Sequence, residues 1–336
     1  MFRENASLRH LNTLRLPGKA RYLAMAASRE ELRYYLTSVT ARNLPVLVLG
    51  GGSNIILRGD FAGLVIRPDL RGIRVVEEQG DAVVVEAAAG ENWHGFVQSC
   101  LARGWYGLEN LSLIPGTVGA APVQNIGAYG VEIKDIMVSL TAMARQTGEL
   151  REFSLEECRF GYRDSVFKQG ERDRWVIVAV RFRLSRKAAP RLGYGDIRRT
   201  LEASGVTNPG PRDVARAVMA IRRSKLPDPA VIGNAGSFFK NPVVSRETLA
   251  ALQVIHPGAP FYEQGERVKL AAGWLIDQCG WKGRSLGRAA VHRDQALVLV
   301  NPGDADRDDI LGLAQAIRAD VLARFGVMLE IEPDLV

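Results

Sequence analysis

Cysteine is scarce in this chain of 336 residues. The sequence holds three cysteines, Cys100, Cys158 and Cys279, and no C-x-x-C pair. An odd and sparse count argues against a disulfide framework and indicates a reducing compartment.

Histidine is scarce as well, and its spacing shows no metal site. The four histidines, which are His10, His94, His256 and His292, form no pattern of the H-E-x-x-H kind. We therefore expect no metal. His94 falls on a predicted helix, and its position indicates no chemistry.

Long hydrophobic runs are absent. No stretch approaches the roughly 18 apolar residues that span a bilayer. The first ten residues carry Arg3, Glu4 and Arg9 and lack an apolar core, so we expect no signal peptide. These features predict a cytoplasmic protein without a membrane partner.

A block of basic residues is also missing. The formal net charge is 44 minus 37, or +7, but the basic residues are scattered among acidic ones. A positive net charge suits an anionic substrate or a nucleotide. The sequence lacks the clustered Lys and Arg of a nucleic-acid-binding arm.

The length suggests two or three domains, and 47% hydrophobic with 24% charged residues is typical of a globular protein.

A run of three glycines follows the short apolar stretch Pro45–Leu49, which we predict to be a buried strand. Gly50, Gly51 and Gly52 lead into Ser53 and Asn54. Successive N–H groups without side chains can point at a phosphate, although a flexible hairpin loop has the same composition. The spacing does not match the G-x-G-x-x-G dinucleotide fingerprint, so a bound dinucleotide would require a non-Rossmann fold.

The second glycine-rich segment covers residues 107–130. Its glycines and prolines interrupt an otherwise apolar run, which excludes a long helix or a central strand. Ordering such a segment costs backbone entropy unless it is held against something. A cofactor with a flat ring and a pyrophosphate would hold it, and a buried packing loop of small residues is the alternative.

The third such segment is Gly233–Pro242, which reads Gly-Asn-Ala-Gly-Ser-Phe-Phe-Lys-Asn-Pro. Ser237 is presented between glycines and an aromatic pair, and Lys240 and Asn241 supply donors for an anion. Taken alone, the pattern is also that of an ordinary glycine-rich turn leading into a strand.

Arg163 lies between Tyr162 and Asp164, where an ion pair with Asp164 on the surface is the simplest interpretation.

Elsewhere, Ser28 begins a capping box, and Lys225–Pro229 ends a helix that starts near Pro211 and marks a candidate domain boundary. The pattern further predicts a helix over 268–279 and a final strand over 327–332 with Glu330 and Glu332 on one face.

Together these segments resemble the UDP-N-acetylenolpyruvoylglucosamine reductase (MurB) family nearly from end to end. Several long motifs in the same order carry the resemblance: Gly50–Asn54, Leu113–Gly130, Gly161–Ser165, Lys225–Pro229, Gly233–Pro242, Leu270–Cys279 and Ala290–Leu299. The Tyr194 region resembles the longer type of the family, which has an additional substrate-covering loop.

The resemblance implies an α+β fold. A two-domain FAD-binding module of the PCMH or vanillyl-alcohol-oxidase type would cover residues 1–67 and 68–225. A C-terminal α+β substrate-binding domain would cover residues 226–336, with the last residues able to return to the first domain.

Three positions match the catalytic residues of the family: Arg163, Ser237 and Glu332. The C-terminus departs from the family pattern, because this chain reads Leu329-Glu-Ile-Glu-Pro-Asp-Leu-Val336 and the proline has moved. Glu332 keeps the number of residues that separates the family's catalytic glutamate from the glycine at Gly326. Glu330 is the alternative.

The resemblance also assigns two sets of binding residues. Those expected to hold FAD are Gly50, Gly51, Gly52, Ser53, Asn54, Pro115, Gly116, Thr117, Gly119, Ala120, Gln124, Asn125, Gly127 and Ala128. Those expected to contact the UDP-sugar are Tyr194, Lys225, Asn241, Tyr262, Lys282 and Gln295.

The implied activity is the reduction of UDP-N-acetylglucosamine enolpyruvate to UDP-N-acetylmuramate by NADPH through non-covalent FAD, in peptidoglycan precursor synthesis. That activity would tie the protein to cell wall biogenesis, cell shape and cell division, and we expect it to act as a monomer. Another FAD-dependent oxidase or dehydrogenase of the same fold is the alternative enzyme. A nucleotide- or RNA-binding protein is the alternative from a different class.

Overall fold

A computed structural model describes residues 2–336. In chain order, its strands are β1 (Arg3–Ser7), β2 (Lys19–Ala26), β3 (Val46–Val48), β4 (Ile55–Ile56), β5 (Phe61–Pro68), β6 (Ile73–Gln79), β7 (Ala82–Ala88), β8 (Gly127–Ala128), β9 (Val131–Glu132), β10 (Met137–Ala144), β11 (Leu150–Ser154), β12 (Trp175–Ser185), β13 (Gly233–Asn234), β14 (Val243–Val244), β15 (Phe261–Gln264), β16 (Arg267–Leu270), β17 (Ser285–Leu286), β18 (Ala289–Val291), β19 (Leu299–Asn301) and β20 (Asp334–Leu335). Its α-helices are α1 (Arg29–Thr37), α2 (Val39–Asn43), α3 (Trp93–Ala102), α4 (Gly195–Ala203), α5 (Pro211–Lys225), α6 (Arg246–Ile255), α7 (Ala272–Gln278) and α8 (Arg307–Phe325).

The chain divides into two compact units. The larger unit holds the residues up to Ala6 together with Ala20–Gly52 and Phe61–Ser224, and the smaller unit holds Ser7–Lys19, Ser53–Asp60 and Lys225–Val336. The division of the FAD-binding part at residue 67 stays a prediction.

The larger unit contains a four-stranded and a five-stranded sheet, besides the short pair β8-β9. One has the order β1-β2-β5-β3, and β5 pairs in parallel with both β2 and β3. Ser28 Oγ accepts a hydrogen bond from the Glu31 N–H at 3.1 Å, so the predicted cap does begin α1. The buried face of α1 carries Leu32, Tyr35 and Leu36, and it packs with β5 residues in one core cluster.

The second sheet of the larger unit is antiparallel, with the order β11-β10-β12-β7-β6. Its core is completed by α3, whose Trp93 and Phe96 contact Phe182 of β12 with ring centroids 5.9 and 5.0 Å apart. All three side chains are buried. Burying a large apolar side chain contributes about 1.5–3 kcal/mol, so this aromatic cluster is a main source of stability in the unit.

In the smaller unit, α8 packs against the sheet β13-β19-β18-β17. Asp306 caps α8 by accepting hydrogen bonds from the N–H groups of Asp308 and Asp309, and Gly326 ends it at φ +65°. A second sheet, β14-β16-β15, packs with α6. The short β20 pairs in parallel with β4.

The start of one predicted helix and the position of one predicted strand in the smaller unit are wrong. The helix expected over 268–279 begins only at Ala272, because Val268 and Leu270 are buried on alternate positions of strand β16. The strand expected over 327–332 is reduced to a bridge between Ile331 and Phe239, and a regular strand comes only after Pro333, as β20. In both places the backbone finds its hydrogen-bond partners in other segments, which local periodicity does not show.

Candidate active site

The triple-glycine turn packs directly on the second glycine-rich segment. A Cβ at Gly51 would lie 2.8 Å from the Gly116 Cα, and one at Gly50 would lie 2.9 Å from Thr117 Oγ1. Neither glycine leaves space for a side chain, so the close approach of the two backbones explains why glycine is needed here. The contact joins two segments that the sequence predicted to bind one cofactor.

Residues 107–130 form the irregular structure that their composition predicted. Short 3-10 turns form at Glu109–Leu111 and Ala121–Gln124, and the backbone is left-handed at Leu113, Asn125 and Tyr129, with φ of +60°, +45° and +50°. Left-handed backbone at such residues is strained and persists where the surroundings hold it.

Backbone hydrogen bonds provide part of that hold. The N–H groups of Val118 and Gly119 donate to the carbonyls of Glu91 and Ala89, each at 2.9 Å. Trp93 N–H donates to the Gly116 carbonyl at 3.1 Å. The segment that leads into α3 therefore fixes the middle of the loop.

The donors at this contact fit an anionic cofactor. Among the backbone hydrogen bonds of residues 2–336, none is donated by the N–H groups of Gly50, Gly51, Gly116 or Thr117. Successive N–H groups of this kind form a nest that suits a pyrophosphate. The residues present therefore fit FAD.

Some residues predicted to bind FAD are engaged within the protein. Asn125 is buried, its side-chain amide donates to Glu132 Oε2 and the Gly161 carbonyl at 3.0 and 2.9 Å, and its Oδ1 accepts from the Lys134 N–H. Gly119 packs on Ala89, where a Cβ would lie 2.5 Å from the alanine Cβ. These contacts give both residues a role in shaping the segment, and their contact with FAD stays a prediction.

Arg163 belongs to the larger unit and is held at the end of this segment. Its guanidinium donates to the Gly127 carbonyl at 3.0 Å and lies 5.4 Å from the centroid of the Tyr162 ring. Its backbone is left-handed, at φ +55°. The Asp164 carboxylate accepts instead from the Ser165 N–H and the Gln169 side chain, each at 2.9 Å.

Ser237 and Glu332 both belong to the smaller unit, and their backbones are adjacent. Glu332 N–H donates to the carbonyl of Phe238 at 3.0 Å, next to Ser237. Phe238 and Phe239 are buried with ring centroids 5.3 Å apart, and Gly236 turns the chain at φ +70°. The aromatic pair therefore anchors the segment that presents the partly buried Ser237.

The backbone pairing of residues 238–240 with residues 330–332 also gives the two candidate glutamates different surroundings. Lys240 N–H donates to the Glu330 carbonyl at 2.9 Å, and the Lys240 ammonium forms an ion pair with the Glu330 carboxylate. Ile331 forms a bridge with Phe239, so Glu332, the next residue, lies beside the segment that contains Ser237. Which of the two glutamates is the acid stays a prediction. The convergence of Arg163 with the other two residues stays a prediction.

The residues predicted to bind the UDP-sugar occupy several elements. Tyr194, at the start of α4 in the larger unit, makes an edge contact with Tyr129 at 5.2 Å between centroids. In the smaller unit, Asn241 Oδ1 accepts from the Ala272 N–H at 2.9 Å, and Gln295 Oε1 accepts from the Leu297 N–H at 3.3 Å.

The remaining three predicted contacts also belong to the smaller unit. Tyr262 is 43% exposed on β15. Lys282 pairs with Asp277 at 2.9 Å, and Lys225 is the last residue of α5. Contact of each of these residues with substrate stays a prediction.

Two residues of the larger unit were missed by sequence reasoning. His94 Nδ1 accepts the Leu113 N–H at 3.0 Å, and Arg222 Nε donates to the Leu113 carbonyl at 3.2 Å. Burial, followed by the charges of Arg223 and Arg222, lowers the pKa of His94, which suits its role as a neutral acceptor. Nothing in the local sequence marks either residue, because both contacts join segments distant in the chain.

The cysteines are unsuited to nucleophilic chemistry. Burial raises the pKa of the Cys100 and Cys158 thiols to about 12, and it also raises the pKa of Cys279. The reactive thiolate is therefore rare at neutral pH.

Over residues 2–336, no three His, Cys, Asp or Glu side chains are grouped to hold a metal ion. No helix of the described chain is long and apolar enough to cross a membrane.

Comparison with known proteins identifies the family of the chain. Residues 20–154 match the family model of an FAD binding domain, and residues 228–336 match that of the C-terminal domain of UDP-N-acetylenolpyruvoylglucosamine reductase. The reductase of Pseudomonas syringae pv. tomato is 57% identical over 330 residues, which cover 98% of this chain and 97% of the relative. The reductase of Chromobacterium violaceum is 57% identical over 334 residues, covering 99% and 98%.

A solved structure agrees as well. The crystal structure of the reductase (MurB) from Thermus caldophilus matches with a TM-score of 0.68 and 26% identity, covering 100% of this chain and 99% of that one. The predicted α+β fold with an FAD-binding module and a C-terminal substrate domain is confirmed. The chain belongs to the UDP-N-acetylenolpyruvoylglucosamine reductase family and is an FAD-dependent oxidoreductase.

Proposed function

We propose that Arg163, Ser237 and Glu332 perform the chemistry by which this reductase converts UDP-N-acetylglucosamine enolpyruvate to UDP-N-acetylmuramate. The hydrogen bond between Glu332 N–H and the Phe238 carbonyl supports the proposal, since it brings the backbone of Glu332 next to the segment that carries Ser237. FAD, when bound, supplies the hydride that it has received from NADPH.

Arg163 would hold the carboxylate of the enolpyruvyl group. Hydride addition to the terminal alkene carbon leaves a negative charge on the neighbouring carbon, and that charge spreads into the carboxylate. A guanidinium stays protonated and can hold both carboxylate oxygens, so it stabilises the charge as it develops. The bond that Arg163 donates to the Gly127 carbonyl would help to orient the guanidinium for this task.

Glu332, when protonated, would donate a hydrogen bond to the same carboxylate. A glutamic acid that stays neutral near pH 7 needs a pKa raised by burial or by a neighbouring anion, which the bound substrate provides. Glu330 is less suited, because its carboxylate already forms an ion pair with Lys240.

Ser237 Oγ would deliver the last proton to carbon. A hydroxyl is a weak acid, but it is adequate toward a carbanion, which is far more basic. The addition of one hydride and one proton across the double bond completes the lactyl ether.

A Ser237→Ala variant tests the proposal. The reaction of the reduced enzyme with the enolpyruvyl substrate should slow by roughly 10²–10⁴, the range for a positioned general acid. Reduction of the FAD-loaded enzyme by NADPH should be nearly unchanged, because no proton from Ser237 is needed there. Both half-reactions are followed by stopped-flow flavin absorbance, and an equal loss in both would assign Ser237 to folding or cofactor binding.

The wider biology follows from the reaction. UDP-N-acetylmuramate is a peptidoglycan precursor, so the enzyme would serve cell wall growth, cell shape and division. We place it in the cytoplasm, as a monomer with NADPH and the enolpyruvyl sugar nucleotide as its partners. Sedimentation of the FAD-loaded protein tests the monomer, and a dimer would contradict it.

A further inference from the structure

Arg163 occupies the third position of a tight four-residue turn, Gly161–Asp164. The two end residues close the turn as a bridge: Gly161 N–H donates to the Asp164 carbonyl at 3.0 Å, and Asp164 N–H donates to the Gly161 carbonyl at 3.4 Å. Arg163 has φ +55°, a left-handed conformation that glycine or asparagine adopts more readily at this position. Such strain persists where the surroundings hold it and is concentrated at functional sites.

Both ends of the turn are fastened to the glycine-rich segment. At its start, the Asn125 side-chain amide donates to the Gly161 carbonyl at 2.9 Å. Directly after its end, the Ser165 hydroxyl donates to the Val123 carbonyl at 2.5 Å. Asn125 and Ser165 are 0% and 1% exposed, so water does not compete for these bonds.

The tip of the turn is attached to the same segment. The Arg163 guanidinium donates to the Gly127 carbonyl at 3.0 Å. Residues 161, 163 and 165 therefore each bond to one of the residues 123, 125 and 127, so alternate positions of the two stretches are tied together. The turn is held at its start, at its tip and just beyond its end, and the strained arginine is fixed against the segment predicted to bind FAD.

We propose that Ser165 is a positioning residue for the reduction, and that it acts through Arg163 by fixing the turn that presents the guanidinium. The proposal rests on the proposed role of Arg163 at the substrate carboxylate. The Ser165 hydroxyl itself is occupied, because it donates to Val123 and accepts the Phe167 N–H at 3.2 Å. A hydroxyl has one proton to donate, so Ser165 does not serve the substrate directly.

Ser165 separates this positioning from the binding of FAD better than Asn125 does. Asn125 belongs to the glycine-rich segment and also bonds to Glu132 and Lys134, so its loss would disturb the segment itself. Ser165 lies outside the segment, and its loss frees only the side of the turn that follows Arg163. The guanidinium is then less often aligned with the charge that develops on the substrate.

The test compares FAD-loaded Ser165→Ala with Ser139→Ala. Ser139 is the matched control, since it is a buried serine of the same unit whose hydroxyl donates to Glu152 Oε1 on β11, at 2.7 Å. Stopped-flow flavin absorbance follows two reactions of each variant: reduction by NADPH, and reoxidation by the enolpyruvyl substrate over a range of substrate concentrations.

Ser165→Ala should slow reoxidation at saturating substrate by about tenfold, since a misplacement of about 1 Å costs up to about 10² in rate. Its reduction by NADPH should be unchanged, and Ser139→Ala should match the unaltered protein in both reactions. If Ser165→Ala does not retain FAD, Ser165→Cys takes its place. A thiol fills nearly the same volume and donates only weakly, so the same selective slowing is expected.

A double-mutant cycle with Arg163→Ala tests whether Ser165 acts through the arginine. Arg163→Ala should slow reoxidation by itself. Adding Ser165→Ala to that variant should then have little further effect, because the group that Ser165 positions is already absent. A purely structural role for Ser165 would leave its effect undiminished in the double variant.

Three results would overturn the assignment. Unchanged reoxidation in Ser165→Ala would remove the positioning role, and an equal loss in both reactions would assign Ser165 to folding or cofactor binding. The full slowing by Ser165→Ala in the Arg163→Ala background would show that the two residues act independently. Failure of the proposed function would be recognised separately, because Arg163→Ala alone would then leave reoxidation unchanged.

Discussion

Strand β12 and the glycine-rich segment 107–130 lie in the same unit and are built in opposite ways. The strand runs for 11 residues with β10 on one side and β7 on the other. Val180, Phe182 and Leu184 are buried, and Arg183 between them is exposed. The segment has no regular element longer than its 3-10 turns and contains three non-glycine residues with left-handed backbone.

The difference shows where each conformation is determined. The strand follows from its own apolar sequence: Val176–Val180 are all buried, and buried positions alternate with more exposed ones from Arg181 onward. The segment depends on acceptors and donors elsewhere in the chain, such as the carbonyls of Ala89 and Glu91 and the side chains of His94 and Arg222. Damage to the strand should therefore reduce global stability, and damage to the segment should chiefly reduce cofactor binding.

The largest effect is expected for Phe182→Ala in β12. Truncating a fully buried phenylalanine costs about 3–5 kcal/mol, and here it also opens a cavity beside Trp93 and Phe96. Urea unfolding, followed by tryptophan fluorescence at saturating FAD, measures the loss. A change below about 1 kcal/mol would show that the aromatic cluster is not the main core of this unit.

A smaller effect is expected for Gly119→Ala in the segment. The new Cβ would lie 2.5 Å from the Ala89 Cβ, so the backbone must shift, at a cost of about 1–3 kcal/mol. We expect weaker FAD binding, measured by fluorescence titration of the FAD-free protein.

Gly170→Ala is the control, because a Cβ there meets nothing within 4 Å. Its stability should change by less than about 0.5 kcal/mol. Equal FAD binding by the Gly119 and Gly170 variants would contradict the assignment of the segment to the cofactor.

The smallest effect concerns pH and His94. Its ordinary pKa is 6.5, and the folded protein lowers it, chiefly by burial. Below pH 6.5 the unfolded chain binds a proton that the folded chain excludes, so the stability contribution of His94 is lost as the pH falls, until its folded pKa is passed.

His94→Asn retains an acceptor for the Leu113 N–H without titrating. Its unfolding free energy should therefore fall less steeply below pH 6.5 than that of the unaltered protein. Thermal melts across pH 5–8 measure both slopes, and identical slopes would show that His94 does not contribute.

These differences also explain what could be predicted from sequence. The cap at Ser28 and the helix from Pro211 follow from local rules, and the structure confirms them. The motifs around Gly50, Gly116, Arg163 and Ser237 led to the family and to FAD. The roles of His94 and Arg222 could not be predicted, because each contacts Leu113 only after the chain has folded.

The C-terminal region shows the same limit. Periodicity over 327–332 suggested a strand, yet the backbone of Glu332 pairs with Phe238 and that of Asp334 with Asn54, at 3.0 Å in each case. Glu330 and Glu332 cannot be distinguished by alternation, since both lie on one face. The ion pair of Glu330 with Lys240 distinguishes them in the folded unit.

The smaller unit is assembled from three separate stretches of chain. The Asn301 side chain donates to the Leu14 carbonyl at 2.9 Å, Asn234 N–H donates to the Thr13 carbonyl at 2.9 Å, and β20 pairs with β4. A fragment beginning at Lys225 would carry Ser237 and Glu332 but would lack all three partners. We therefore expect that the C-terminal family segment does not fold by itself, and that domain exchange between relatives would have to transfer residues 7–19 and 53–60 with it.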